Sequence, residues 1–527
     1  MPRNRRPGKN APQRNAASPN AVQPRSAASV PSGPPPGGNA SLLDRAAALL
    51  GRVQRHSTAL SVLYLTVLVA VSLRYLLVSL SRSWFFSSDE YVFAGEAIRF
   101  LNLDLRQRYF DMPGTPFMML SAVLWAIFYP LQTWFSPDTT IPDITAFTYH
   151  HLEWFFALLR SCTIFFHAVS IVLLFLLARR VLNRVGAVFA CLVLAMSPIY
   201  ATYSSFCRVE SMAICMALSA LLVTYRALER HPSRMGTRPS WRDPMILAGV
   251  LAGVGAAARL HSIAATLPLL LLILAFDERT PRRGQYPGWT LAAARYLLPA
   301  MFVAGALCCW WARTKVAAGY PHAASLVTKA GIAAAVAPGA AMLLYRIGRT
   351  RAMLLRVAGP EAVKIAMGCL GGFLLANFTV IPQYRYFLGS MEMYSRGYID
   401  WQRTTWPLWT NIRWYLGFYL KVFAPDTIAM ALLLVSMIWI AVSRSRRLLP
   451  YLLVFLAFFV SKPLNLIAAA HHTLLWLPCF AVLCAFPAAK LYSMAAGRAA
   501  IRPAWRLVAV GASAALFATS LRVHLKR

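Results

Sequence analysis

The chain has 527 residues, 58% of them hydrophobic, with a mean hydropathy of +0.53 and a formal net charge of +35. Soluble domains are about 45–50% apolar even with glycine counted, so the composition excludes an ordinary water-soluble enzyme. Apolar stretches near the ~20 residues that cross a bilayer recur along most of the length, without the alternation of a membrane β-barrel. The positive charge does not point to nucleic acid, because the arginines are dispersed in short loops between apolar spans, as positive-inside topology requires. The fold class is therefore all-α, a polytopic transmembrane helical bundle.

Residues 1–40 are rich in Pro, Ala, Asn and Arg and lack a hydrophobic face. They read as a disordered basic tail on the cytoplasmic side, not as a signal peptide. Spans are expected at 57–79, 154–178, 185–203, 209–228, 244–260, 262–276, 295–313, 324–345, 363–381, 414–442, 448–462, 464–488 and 506–522. The run to Arg55 holds nine Lys/Arg and one acid, so the N-terminus is placed inside. Alternation from there puts the basic loops Arg179–Arg184, Arg230–Arg242, Arg279–Arg283, Arg346–Arg356, Arg444–Arg447 and Lys490–Arg506 inside as well. The apolar stretch 114–136 would invert this register if it crossed. Gly114, Pro116 and Pro130 break it, and it reads as interfacial or re-entrant within one external loop, 81–153. This makes about 13 spans, with the C-terminus outside. The expected organisation is a transmembrane module over 57–381, an external aromatic loop over 382–412, and C-terminal helices over 413–527. The nine cysteines are odd in number and show no C-x-x-C spacing, and most lie in apolar runs, so they read as buried small hydrophobes.

Of the 18 acidic residues, eight fall between 89 and 153. Carboxylates are costly near hydrocarbon unless solvated, paired or functional. Asp89 and Glu90 follow the first span and open an amphipathic run, where the helix dipole favours negative charge. Held at the lip of the bilayer, such a carboxylate is suited to take a proton from an acceptor hydroxyl. Next comes Arg108-Tyr109-Phe110-Asp111-Met112-Pro113-Gly114-Thr115-Pro116, a stiff turn whose Asp111 is a candidate metal ligand. Ser197-Pro198 marks a helix break, and Arg208 and Glu210 open the following helix on the face that carries Asp89. Arg259 lies at the junction of two spans, a place for a bidentate contact to a lipid phosphate. His261 beside it is a second candidate metal ligand, and His471-His472 is a weaker one. Tyr384, Tyr386, Tyr394, Tyr398, Trp401, Trp406 and Trp409 read as an interfacial aromatic belt, or as a cover over a sugar.

The order of these motifs resembles the C-superfamily (GT-C) of integral-membrane glycosyltransferases. The likeness rests on the acidic pair after the first span, the Asp-x-Pro-Gly-x-Pro turn and the Ser-Pro helix end with an acid about twelve residues on. A small-residue span ending at Arg259 and the degenerate His472-Thr473-Leu474-Leu475-Trp476-Leu477-Pro478 segment complete it. The chain is most similar to the branch of protein O-mannosyltransferases and the lipid A aminoarabinose transferase, best over 57–280. The resemblance implies a polyprenyl- or dolichyl-phosphate sugar donor and an inverting transfer to a glycan, glycolipid or protein acceptor. It also implies a bacterial plasma membrane enzyme with its site on the extracytoplasmic side. On this reading Asp89, Glu90 and Glu210 are the catalytic acids, and Arg259, Arg108 and Arg208 are the donor-phosphate ligands. Asp111 and His261 would hold a divalent cation (Mg, Mn or Zn). Glu in place of Asp at 210, and Arg with His261 in place of a Lys pattern, depart from the family. The rival class is a transporter or flippase of a lipid-linked or anionic solute, but that class places its ionisable residues near the bilayer midplane.

Overall fold

The computed structural model describes residues 88–106, 114–131, 141–195, 197–230, 242–277, 360–390, 427–443, 445–464 and 474–497, with isolated positions around 62–80, 303–328 and 392–413. Arg108, Asp111, His471 and His472, and most of the aromatic loop, lie outside the described residues.

The described elements are helices. In chain order they are α1 Ser88–Leu101, α2 Thr115–Phe128, α3 Ile144–His150, α4 Leu152–Val181, α5 Arg184–Ala195, α6 Pro198–Ser204, α7 Glu210–Arg230, α8 Pro244–Ala258 and α9 His261–Phe276. They are followed by α10 Pro360–Ala376, α11 Thr427–Ser443, α12 Leu449–Leu464 and α13 Leu477–Gly497. Three helices among the described residues are long and apolar enough to cross a membrane: Leu152–Val181, Glu210–Glu229 and Leu474–Ser493. The other apolar helices among the described residues are shorter, and several of the expected 13 spans, 324–345 and 506–522 among them, lie mostly or wholly outside the described residues.

Two expectations change. The span expected at 185–203 is broken into α5 and α6, because Pro198 holds Ser197 extended (φ −66, ψ 116). The span expected at 464–488 is displaced: α12 runs on to Leu464 and α13 reaches Gly497. A backbone hydrogen-bond ladder does not stop where hydropathy falls, so Lys490 is carried on the helix and not in a loop. The stretch 114–136 forms α2 and a single 3-10 turn, Tyr129–Leu131. Its 14 residues rise only ~21 Å, against the ~30 Å hydrocarbon core of a bilayer.

The helix ends sort into two groups. At one end Arg180 of α4 meets Glu229 of α7 at 3.1 Å, and Lys364 of α10 meets Asp243, which caps α8, at 2.6 Å. Asn183 donates to the Ala489 carbonyl of α13 at the same end. These neighbours carry Arg179, Arg184, Arg242 and Lys490, and they belong to the end that the positive-inside register places in the cytoplasm. The other end gathers the start of α1, the 205–209 segment and the Arg259 turn between α8 and α9.

α2 and α3 are fastened onto α4 by Trp125. It is 1% exposed, donates from Nε1 to Thr148 Oγ1 at 2.8 Å and sets its ring edge-on to Phe155. α1 packs on α2 through Phe93 and Phe117. α8 and α10 run parallel and touch through glycines. A Cβ on Gly253 would lie 2.1 Å from the Cys369 carbonyl oxygen, and one on Gly368 would lie 2.2 Å from that of Ile246. Close approach of this kind is how small-x-x-x-small faces join helices where apolar burial offers no drive. Here it fixes the height of Arg259 at the end of α8.

Gly253→Ala should therefore force α8 and α10 apart and cost about 1–3 kcal/mol, read as a lower thermal midpoint in detergent. Gly371→Ala, on the same α10 but with nothing within 4 Å, should be neutral or slightly stabilising. Equal effects would refute the glycine contact.

Candidate active site

α1 starts at Ser88 and carries Asp89 and Glu90 in its first turn. Successive residues on a helix point about 100° apart, and the two carboxylates have different surroundings. Glu90 turns inward and is 0% exposed. Arg160 of α4 grips it through two parallel bonds, Nε to Oε1 and Nη2 to Oε2, both 3.0 Å. The Cys207 amide donates to Oε1 at 2.8 Å. Burial, with Glu90 as the next cause, pushes the Cys207 thiol well above its ordinary pKa. Cys207 therefore acts here through its backbone.

Asp89 is the most open of the three carboxylates, at 18% exposure against 0% for Glu90 and 2% for Glu210. Its partner is Arg208, 2.6 Å away. Arg208 also donates to both Glu210 oxygens, at 3.3 and 3.4 Å, and lies 4.7 Å from the centre of the Tyr203 ring. Burial opposes the Arg208 charge, but Glu210 and then Asp89 outweigh it and hold its pKa above the ordinary value. Arg259 follows Ala258 in extended geometry (φ −147, ψ 109). It reaches Glu210 at 3.9 Å, outside hydrogen-bond distance. The cluster thus balances three carboxylates with three guanidinium groups, and Arg259 holds its carboxylate at the longest distance.

The structure brings together Asp89, Glu90, Arg208, Glu210 and Arg259, which the sequence had singled out on three separate segments. His261 opens α9. Among the described residues no three His, Cys, Asp or Glu side chains converge as metal ligands. The space between Asp89 and Glu210, where a cation would bridge them, is filled by the Arg208 guanidinium. The described side chains do not fit a divalent cation, and Asp111 lies outside them. Arg160, Thr163 and His167 were not anticipated. For Arg160 a signal existed: an arginine inside an apolar span is functional or paired by default.

Three solved structures of the Archaeoglobus fulgidus oligosaccharyltransferase are similar to the chain. The apo form gives a TM-score of 0.46 at 16% identity, covering 87% of this chain and 56% of that one. The form tethered to an acceptor peptide with the NVT sequon gives 0.45 at 16%, covering 88% and 55%. The complex with Zn and sulfate gives 0.44 at 15%, covering 87% and 53%. The chain thus spans about half the length of these proteins. No curated protein matches it. Residues 153–304, which include Arg160, Arg208, Glu210 and Arg259, match the family model described as dolichyl-phosphate-mannose-protein mannosyltransferase.

Proposed function

We propose that the protein is an inverting glycosyltransferase of the GT-C type. It would move a sugar from a polyprenyl-phosphate donor to an acceptor on the extracytoplasmic side. The observation that carries this reading is the Asp89–Arg208–Glu210–Arg259 chain, assembled from three separate segments at one end of an apolar bundle. The family match over 153–304 supports the reaction class. A transporter would hold its charges at mid-depth, on broken helices. Here they stand at helix ends.

In this mechanism Asp89 accepts the proton of an acceptor hydroxyl, whose oxygen attacks the anomeric carbon. The bond from that carbon to the phosphate oxygen breaks on the opposite face, and the polyprenyl monophosphate leaves. Arg259, loosely held by Glu210, turns its guanidinium to the phosphate and stabilises the charge that develops there. Arg208 is committed to Asp89 and Glu210 and orients the base. Glu90 and Arg160 fix the first turn of α1, and with it Asp89.

Asp89→Asn should abolish release of free polyprenyl phosphate from reconstituted protein with donor and acceptor, while leaving insertion and thermal midpoint unchanged. Full activity in that variant removes Asp89 from the chemistry. Arg259→Ala should raise the donor KM about tenfold or more, the loss of one charge-assisted contact of about 1.5–3 kcal/mol. An unchanged KM removes it from the phosphate. Glu90→Gln leaves Arg160 buried opposite a neutral group. It should lower stability by about 3–5 kcal/mol, measured by thermal unfolding, and so differ from Asp89→Asn in kind. An unaltered midpoint would show that the pair does not brace the fold.

A further inference from the structure

The segment 205–209 carries Arg208 into the site, and it is not helical. It is nevertheless mostly buried; the Ser205 amide and the Val209 carbonyl are taken up by α6 and α7, and the groups between them need other partners. Glu90 of α1 takes the Cys207 amide and Thr163 of α4 takes the Arg208 backbone, and on α4 residues 160, 163 and 167 share one face at intervals of three and four.

Arg160 acts at one remove, through Glu90, on the Cys207 amide. Thr163 Oγ1 accepts from the Arg208 amide at 3.4 Å and shares its proton between the Arg208 and Leu159 carbonyls, both at 3.3 Å. His167, 1% exposed, places Nδ1 2.8 Å from Ser204 Oγ, and Ser204 Oγ lies 2.9 Å from Ser211 Oγ. Its ring stacks on Tyr200 of α6, with centroids 4.4 Å apart. The Nε2 atom has no hydrogen-bond partner among the described residues. A bare lone pair is the cheaper group to leave there, so the proton belongs on Nδ1, donating to Ser204. Ser204 is the last residue of α6 and Ser211 the second of α7. The three side chains therefore tie together the two ends of the segment that holds Arg208 and Glu210.

We propose that His167, with Ser204 and Ser211, is a clasp that sets the conformation of residues 205–210, and that Thr163 and His167 are positioning residues for the Arg208–Asp89 contact. The catalytic half of this proposal rests on the transferase reading, whereas the clasp itself does not. His167 bonds to Ser204, not to the carboxylates, and stacks on Tyr200. Its effect reaches the reaction only through where Arg208 and Glu210 stand, and a misplacement of about 1 Å at such a site costs up to about a hundredfold in rate. Arg259 is carried on α8, away from this face, so donor binding is not expected to follow.

The test uses the full chain in lipid nanodiscs and the variants His167→Leu, His167→Asn and Ser204→Ala. Hydrogen exchange of a peptide covering 204–211 should become about tenfold faster or more in His167→Leu and Ser204→Ala, with α8 and α10 peptides unchanged. His167→Asn, whose amide lies where Nδ1 was, should stay near wild type. Under transfer conditions the first two variants should lose about tenfold or more in kcat, with donor KM within about twofold, and Asn should restore most of it. Should His167→Leu lose protection everywhere, Ser204→Ala, which removes a single hydroxyl of the same chain, decides the matter. Unchanged exchange over 204–211 in Ser204→Ala overturns the clasp whether or not transfer is seen. Faster exchange with unaltered kcat overturns its catalytic role. A wild type that transfers nothing sinks the transferase reading, and the exchange result still decides the clasp.

Discussion

Glu90 is taken wholly out of water beside membrane-spanning helices, and the meeting of Asp89 with Arg208 follows from how that charge is satisfied. A carboxylate there must be paired and hydrogen-bonded at once. Arg160 supplies the charge and two bonds, and the Cys207 amide supplies the third. That single carboxylate therefore ties α1, α4 and the 205–209 segment together. Asp89 and Arg208 are the chain neighbours of two of these groups, so they are brought to within 2.6 Å of each other as a consequence. The buried pair sets the geometry, and the pair that it brings together is the more open of the two.

The second constraint is mechanical. Arg259 stands at the end of a helix whose lateral position is set by backbone contact with α10, through Gly249, Gly253, Gly368 and Gly372. Side chains at those positions would widen the interface and carry Arg259 away from Glu210. At the far end of the same helix pair, Asp243 and Lys364 close the other margin. The approach of Arg259 to Glu210 is thus decided some 10 Å or more down the helix, at ~1.5 Å per residue, and not by the ion pair, whose 3.9 Å separation is too long to enforce it.

Much of this was legible in residue order. The acid pair after the first span, the Ser-Pro break with Glu210 beyond it, and Arg259 between two apolar runs were each visible as polar groups where hydrocarbon makes polarity expensive. The helix ends that the positive-inside register puts on one side include those that the structure pairs through Arg180–Glu229 and Lys364–Asp243. Where α13 begins and ends was not legible, because helices extend past the apolar stretch. Nor was the division of labour between Asp89 and Glu90, adjacent residues with the same charge. Their difference is the 100° turn between them on α1, and what lies on each side of it.

By itself the sequence determined that the chain is a helical membrane protein, and it singled out Asp89, Glu90, Arg208, Glu210 and Arg259 as polar residues that fall at one set of helix ends. These follow from the cost of moving charge and backbone into hydrocarbon, which depends on residue type and local run length alone. Only the tertiary structure decided that Arg208 belongs to Asp89, that Arg160 and not Arg208 neutralises Glu90, and that His167 and Ser204 close the segment between α6 and α7. Those pairings join residues 37 to 119 positions apart. They depend on the rotation of each helix about its own axis, which packing against neighbours sets and no local pattern records.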